Sequence, residues 1–402
     1  MDVSGNKRSG DWKSERLGDV AEVIMGQSPP GNSYNSEGIG TPLINGPTEF
    51  TDKYPIKVQW TSQTTKVCKV GDLLLCVRGS STGRINISDG EYCIGRGVAA
   101  IRARSGADTT FVIYQVDSAM QKLLALSAGS TFPNVDGKSI RSITIPLPSY
   151  DEQRAIATAL SDVDALINSL DRLIAKKRDL KQAAMQELLT GKRRLPGFSG
   201  EWEMRTLGQL GDISGAGVDK KIRPGEIPVR LVNYLDVYRR DFIYSKELNH
   251  IVSAPIEQAA RCSVKKGDIF FTPSSEVPND IGISAVAMED IPDAAYSYHV
   301  VRFRPTEGWD LAYRAYAFKS RHFLEQAERL CEGSGVRYVI TQARFRQLTV
   351  LVPPTFEEQA AIATVLSDMD VEIMALQRKR GKTIALKQGM IQELLTGRIR
   401  LV

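Results

Sequence analysis

EQRAIATALSDVD, at residues 152–164, returns at residues 358–370 as EQAAIATVLSDMD, with ten of thirteen positions identical. A second pair, QELLTGKRRL at residues 186–195 and QELLTGRIRL at residues 392–401, has the same offset of 206 residues. The stretch between the two motifs therefore has the same length in both copies, and the chain contains one duplicated unit. A weaker repeat opens each copy, with Trp12, Leu17 and Gly18 matched by Trp202, Leu207 and Gly208.

The repeated segments predict two long helices. Their apolar residues are spaced alternately by four and three, which is the heptad pattern of a coiled coil. This seam consists of Ile156, Leu160, Val163, Ile167, Leu170 and Ile174 in the first copy and Ile362, Leu366, Met369, Ile373 and Leu376 in the second. Each helix runs about 38 residues, close to 57 Å, to a Thr-Gly stop. A domain of about 150 residues rarely needs so long a helix. We therefore expect the two helices to pack against each other, antiparallel, with a pseudo-twofold relation between the copies.

The sequences between the repeats hardly resemble each other, yet their organisation is similar. Both are rich in turn residues between short strand-like runs, which predicts β-rich α+β domains. Each insert is expected to contain a helix, at residues 110–128 and 311–331, and then a strand closed by prolines, at residues 142–148 and 348–354. The predicted division is a first domain at 1–150, a helix at 151–191, a linker and second domain at 192–355, and a helix with a tail at 356–402.

Composition excludes several classes of protein. The chain has 402 residues and 42% hydrophobic content, enough for two domains with their own cores. It has no apolar run of about 18 residues and no secretory signal pattern, so we expect a cytoplasmic protein without a membrane span. The five cysteines form no CxxC pair and are predicted to be reduced and structural. The net charge of +5 is mild, but each of the segments 171–194 and 372–400 carries a local excess of five positive charges.

Motifs of catalysis are nearly absent. The GKS run at residues 137–139 lacks the preceding glycine of a phosphate-binding loop, because Phe132 stands in its place. The three histidines are not at metal-ligand spacing, and His299 is interpreted as a packed residue of the strand-like run HVVRFR. Neither a glycine-rich cofactor loop nor the Pro-Pro-aromatic motif of amino methyltransferases is visible. We therefore predict no catalytic residues and no metal site in this chain.

The inserts do carry polar, cationic loops of the kind that read base edges. Arginine can grip guanine, Asn or Gln can grip adenine, and Ser or Thr can hold phosphates. Ordinary solvated turns are the alternative interpretation of any single loop, but similar loops stand at matching places in both halves. The candidate DNA-binding residues are Arg78, Ser80, Arg84, Arg96, Ser130, Thr131 and Asn134 in the first insert, and Ser274, Ser334, Arg337, Tyr338 and Arg344 in the second.

The chain resembles the specificity subunit of a Type I restriction-modification system. The resemblance covers nearly the whole length. It is carried by W-x4-LG at Trp12, the GD turn at Gly71 and Asp72, IGRGVAAIR at residues 94–102, the GST-x-PN run, and P-x-x-x-EQ-x-x-I leading to QELLTG. The second half departs from it, because GSGVRYVITQARF at residues 333–345 replaces the GST-x-PN form.

This resemblance implies two target-recognition domains that read the halves of a bipartite, asymmetric site in double-stranded DNA, with the helices setting the gap. It also implies two modification subunits, which bring S-adenosylmethionine, and restriction subunits that translocate and cleave DNA. Glu152, Gln153, Glu358 and Gln359 stand at equivalent positions that we expect to be exposed and to contact two copies of one partner. A coiled-coil scaffold with two protein-binding domains is the competing hypothesis, and a self-sufficient methyltransferase is disfavoured because the cofactor motifs are missing.

Overall fold

The computed structural model of the chain describes residues 12–126, 134–335 and 337–401, which form two compact units. The first unit contains the described residues up to Asp171 together with those from Arg378 onward, and the second contains residues 172–377. Each unit therefore holds one mixed α+β domain and a stretch of both long helices. The predicted fold class, two β-rich domains with long helices in an internal repeat, is confirmed.

The first domain is built on two sheets. Its central sheet is antiparallel and has the strand order Ala21–Met25, Val98–Ala103, Leu73–Cys76 and Ile85–Ile87. A five-stranded sheet has the order Tyr34–Asn35, Trp60–Thr61, Thr41–Ile44, Tyr92–Ile94 and Val67–Cys68. Lys13–Arg16 pairs with the proline-closed strand Thr144–Leu147. The helices are Leu17–Val20, Thr109–Leu126 and Gly137–Ser142, with a 3-10 turn at Gly31–Ser33.

The second domain repeats this plan with additions. Its central sheet has the order Gly211–Ser214, Val301–Pro305, Ile269–Phe271, Ser284–Ala287 and Phe242–Ile243. Beside it are a sheet ordered Ile251–Ala254, Ile227–Val232, Ile291–Tyr296 and Ser263–Val264, a small sheet ordered Ser274–Ser275, Arg337–Val339 and Glu332–Ser334, and the pair Glu203–Thr206 with Thr349–Val352. The helices are Leu207–Leu210, Tyr234–Tyr238, Ile256–Arg261, Tyr313–Tyr316, Arg321–Leu330 and Gln342–Phe345, with 3-10 turns at Ser245–Glu247, Pro278–Asp280 and Ala317–Lys319.

The GD turn has the same structural role in both domains. Asp72 is buried, accepts the backbone N–H of Lys69 at 2.7 Å, and binds the guanidinium of Arg102 on the neighbouring strand at 2.7–2.8 Å. Asp268 and Arg304 make the same bidentate pair at 2.6–2.7 Å in the second domain. A buried carboxylate is tolerated because these charge-assisted bonds satisfy it. The last arginine of IGRGVAAIR thus stabilises the sheet.

The long helices cover Tyr150–Leu188 and Phe356–Leu394. Their heptad residues are buried or half-buried, as the seam predicts, and Ile156, Leu160, Ile362 and Leu366 are almost fully enclosed. Ion pairs across the seam show antiparallel packing within each unit, because rising numbers on one helix meet falling numbers on the other. These pairs are Asp164–Lys387 and Asp171–Arg380 in the first unit, and Lys177–Glu372 and Lys181–Asp370 in the second.

The QELLTG motif anchors a helix end to a domain. Leu188 and Leu189 are buried in the core of the second unit, and Leu394 and Leu395 in the core of the first. The glycine of each motif has a left-handed φ, +67° at Gly191 and +72° at Gly397. A Cβ there would lie 3.2–3.4 Å from the nearest atoms of a tryptophan ring, that of Trp202 or Trp12. Glycine is therefore favoured by both the backbone and the ring packed against it.

Two expectations about the second domain are wrong. The helix predicted at residues 311–331 is interrupted: Tyr313–Tyr316 is followed by a 3-10 turn, and a new helix starts at Arg321. Ser320 causes the break, because its backbone is extended and its hydroxyl accepts the N–H of Phe323 as an N-cap. His299 is in a half-buried turn rather than a strand.

Within the described part of the chain, no helix has the length and apolarity to cross a membrane.

Candidate nucleic-acid interface

In the first domain, backbone hydrogen bonds bring three predicted residues to one end of the central sheet. The N–H of Val77 donates to Gly97 at 2.9 Å, and the N–H of Val135 donates to Val77 at 3.0 Å. Arg78, Arg96 and Asn134 are the immediate neighbours of these three residues, and all three side chains are exposed. Two cations and an amide therefore share one surface, which we call the Arg78 surface.

The other first-domain candidates differ in their surroundings. Ser80 is exposed in the turn that follows Arg78. Arg84 donates its guanidinium to the backbone oxygens of Pro47 and Phe50, at 3.3 and 2.9 Å, so its head group holds a loop of its own domain. Ser28, which the sequence gave no reason to select, accepts the N–H of Arg96 at 3.2 Å beside the Arg78 surface. Ser130 and Thr131 lie outside the described residues.

In the second domain, four candidates lie on the small three-stranded sheet. Ser274 is on its first strand, Arg337 and Tyr338 are on the middle strand, and Ser334 is on the outer strand. Ser334 and Arg337 are exposed. The guanidinium of Arg344, predicted to contact DNA, is instead used within the domain. It donates to the Leu330 carbonyl and pairs with the Glu332 carboxylate. We therefore reinterpret Arg344 as a structural residue that supports the outer strand.

A cleft of about 490 Å³ opens beside this sheet. Its wall includes two tyrosines of one short helix, Tyr234 and Tyr238, which stack with ring centres 5.7 Å apart. His299 lines the cleft, and its ring centre lies 4.0 Å from that of Tyr298, with the two ring planes tilted by 36°. Sequence reasoning missed these aromatic residues. A usable signal was NYLDVY at residues 233–238, where two tyrosines four positions apart follow a strand. The full lining is Tyr234, Leu235, Tyr238, Ser274, Ser275, Glu276, Val277, Asp280, His299 and Arg337.

Burial lowers the pKa of His299, and the nearby cations Lys220 and Arg337 lower it further. The imidazole is therefore neutral at neutral pH, and it can donate one hydrogen bond and accept another. Lys220 is placed here by a loop whose Val218 donates to the Tyr296 carbonyl at 2.8 Å. The cleft thus combines cations, neutral aromatic groups and carboxylates.

The expectation that Glu152 and Glu358 are exposed is wrong. Their side chains are 0% and 1% exposed. Glu152 accepts two hydrogen bonds from Arg400, at 2.5 and 2.7 Å, and one from the indole of Trp12 at 3.2 Å. Glu358 is bound in the same way by Arg194, at 2.5 and 2.8 Å, and by Trp202 at 3.3 Å. Each arginine also lies over its tryptophan ring. We call these two groups the first and second clasps.

The glutamines of the EQ motif are buried as well. Gln153 accepts the N–H of Asp108 at 2.8 Å and donates to the Pro148 carbonyl at 3.0 Å. Gln359 repeats this with Asp310 at 2.9 Å and the Pro353 carbonyl at 3.4 Å. The EQ motif therefore fastens the start of each long helix to its own domain, and this accounts for its repetition without any partner contact.

Alanine variants of Arg78, Arg96 and Asn134 are expected to weaken DNA binding. Loss of a bidentate base contact should reduce the binding free energy by about 1–3 kcal/mol and relax one base position, whereas loss of a phosphate contact should weaken all sequences alike and lower the salt slope by about one. Fluorescence anisotropy with duplexes at several salt concentrations measures both. Arg84→Ala is the matched control and should leave sequence preference unchanged. If the three variants bind like the parent at every sequence and salt concentration, the Arg78 surface is not an interface.

Comparison with known proteins now identifies the family. The model of the Type I restriction modification DNA specificity domain matches the chain twice, at residues 9–177 and 199–386. The chain therefore belongs to this family, whose proteins confer DNA sequence specificity. The two matches reproduce the internal repeat.

Individual relatives agree. The type I restriction enzyme MjaVIII specificity subunit of Methanocaldococcus jannaschii is 25% identical over 408 residues, covering 97% of this chain and 93% of the relative. The putative MjaX specificity subunit of the same organism is 39% identical over 188 residues, but this match spans less than half of either protein, 46% of this chain and 44% of the relative.

Solved structures share the fold over the whole length. The Type I restriction-modification S subunit from M. genitalium is 16% identical, with a TM-score of 0.57, and the alignment covers 98% of both chains. The HsdS subunit from Thermoanaerobacter tengcongensis is 19% identical, with a TM-score of 0.52 over 99% of this chain and all of the other. At these identities the likeness concerns the fold alone.

Proposed function

We propose that this chain is the DNA-binding specificity subunit of a Type I restriction-modification complex, and that its two domains read different halves of one bipartite, asymmetric site. The observation that carries the proposal is a repeated framework with two unlike surfaces. The GD turn, the EQ motif and the clasp recur in both units. The surface at the end of the central sheet is cationic in one domain, with Arg78 and Arg96, and aromatic with mixed charge in the other.

In this proposal the chain itself is non-catalytic. Two modification subunits bind S-adenosylmethionine and methylate adenine, and restriction subunits translocate and cleave the DNA. The four EQ residues no longer support partner docking. Exposed apolar side chains on the long helices support it instead, because large apolar groups in water favour burial against a partner. Beyond the first residue of each helix, they are Leu166 and Leu386 in the first unit and Leu173, Leu180, Val371 and Met374 in the second.

Two of these residues are equivalent in the repeat. Leu180 and Leu386 are separated by the repeat offset of 206 residues and are 47% and 58% exposed. One surface presented twice suits two copies of one partner. This is the physical support for a pair of modification subunits on the helices.

Salt-dependent duplex binding separates this function from that of a protein scaffold. Neutralising DNA phosphates releases counterions, so the logarithm of the binding constant should fall linearly with the logarithm of salt concentration, by about 0.9 per phosphate contacted. The measurement is a titration of the full chain with a randomised duplex pool between about 50 and 200 mM salt, the range in which a six-phosphate contact loses about 10³ in affinity. Duplex binding that is absent, or unchanged by salt, would support the scaffold.

A further inference from the structure

The cleft of the second domain has the same place in the framework as the Arg78 surface. In the first domain the N–H of Val135 donates to Val77, just before Arg78, and in the second the N–H of Ile340 donates to Pro273, just before Ser274, at 2.9 Å. The strand pairing also agrees, because Leu75 faces Ala99 and Phe271 faces Val301. The same backbone frame thus presents different side chains in the two domains. These side chains make the cleft of the second domain chemically different from the Arg78 surface.

The charges of the cleft do not suit a phosphate backbone. The cation Arg337 shares the lining with two acidic residues, Glu276 and Asp280, and with the neutral His299. Carboxylates repel phosphates, whereas base edges offer both hydrogen-bond donors and acceptors. A lining that carries both positive and negative charge is therefore better suited to base edges than to phosphates.

One cation and one carboxylate in this cleft are available to a ligand. The Asp280 carboxylate already has a partner within the domain, because it accepts a hydrogen bond from the hydroxyl of Tyr238 at 3.2 Å. Among the described residues, Glu276 has neither a hydrogen bond to its side chain nor an ion pair, and it is exposed. Arg337 is held weakly, by one 3.5 Å contact to the Ser274 hydroxyl, and is also exposed.

The strands around Arg337 have a shape that fits a major groove. Glu332–Ser334 and Arg337–Val339 pair as an antiparallel ribbon, with Ser334 opposite Arg337. The outer strand is exposed at all three residues. The major groove of B-DNA, about 12 Å wide, admits a two-stranded ribbon of this kind.

We infer that Arg337 and Glu276 read a G·C base pair in the half-site of the second domain. In the major groove guanine presents the acceptors O6 and N7, which a guanidinium grips bidentately, and cytosine presents an N4 amino group, which a carboxylate accepts. The donor and the acceptor in this cleft match the two edges of that one pair. The inference rests on the proposed function, and it adds the base pair and the residues that select it.

Selection from a duplex library tests this directly. The full chain selects from duplexes with randomised bases, and the retained pool is sequenced. Arg337→Ala and Glu276→Gln should each lower the preference for G·C at the same single position by about tenfold or more, and the half-site of the first domain should be unchanged. Glu276→Gln should also admit A·T there, because glutamine binds adenine.

Two control variants change residues of the same types elsewhere in the second domain. Glu257→Gln and Arg261→Ala alter exposed residues of the same domain outside the cleft, and both should select like the parent. Thermal unfolding of each variant should match the parent, since neither Arg337 nor Glu276 is buried. The inference is wrong if Arg337→Ala weakens all sequences alike, which marks a phosphate contact, or if neither variant changes any position. A parent that selects no sequence at all would overturn the proposed function as well.

Discussion

Arg400→Ala is expected to lower the free energy of unfolding by about 2–4 kcal/mol. The reason is the first clasp. Removing the guanidinium leaves the Glu152 carboxylate fully buried, with one hydrogen bond from the Trp12 indole in place of three. Breaking a buried pair costs about 3–5 kcal/mol, and the expected value is reduced because Arg400 is 37% exposed. Urea unfolding followed by circular dichroism measures the change.

Arg398→Ala is the matched control for this prediction. Arg398 is two residues away, is 69% exposed, and pairs with Glu393 at 3.4 Å. A surface pair of this kind contributes about 0–1 kcal/mol. The double variant Arg400→Met with Glu152→Leu should recover much of the lost stability, because no buried charge remains unpaired. If Arg400→Ala unfolds like Arg398→Ala, the clasp does not stabilise the unit.

Lengthening both long helices is expected to lengthen the gap in the recognised site. Four residues inserted after Ile174 and four after Leu376 add about one turn, close to 6 Å. The matched insertion is needed because Asp171–Arg380 and Lys177–Glu372 pair on either side of these points. The target should keep both half-sites and gain one or two base pairs of spacing, at about 3.4 Å each. The original spacing should bind at least tenfold more weakly.

Library selection with half-sites at varied spacings measures this shift. Inserting the four residues after Ile174 alone is the control. It changes the register of one helix against the other, so it should destabilise the chain rather than move the preferred gap. A doubly lengthened chain that still prefers the original spacing would show that the helices do not set the gap.

The long helices could be predicted almost completely from the sequence, because heptad spacing and the Thr-Gly stop are local signals. The antiparallel packing also followed from the repeat. The clasps could not be predicted. The EQ motif was visible twice, but Arg400 binds Glu152 from 248 positions away, and no spacing rule links such residues. Its buried glutamate was therefore mistaken for an exposed one, since an isolated Glu is rarely enclosed.

The positions of the candidate DNA-binding side chains could be predicted in part. Arg78, Arg96 and Asn134 share a surface because strand ends place them together, which strand-like runs in the sequence indicate. The guanidinium groups of Arg84 and Arg344 bind atoms of their own domains. These contacts depend on loop geometry, which the sequence does not show. The tyrosines at 234 and 238 were missed because the second domain departs from the motifs of the first.

Exchange of residues 203–355 for the equivalent insert of a relative tests the central claim most directly. The exchanged segment carries the cleft of the second domain, and the exchange leaves the Arg78 surface and both long helices unchanged. Library selection by the parent and by the hybrid should return targets that share one half-site and the gap and differ in the other half-site. With each mismatched base pair costing about 1–3 kcal/mol, the parent site should bind the hybrid at least a hundredfold more weakly. If both half-sites change together, or neither does, the two domains do not read separate halves of the site.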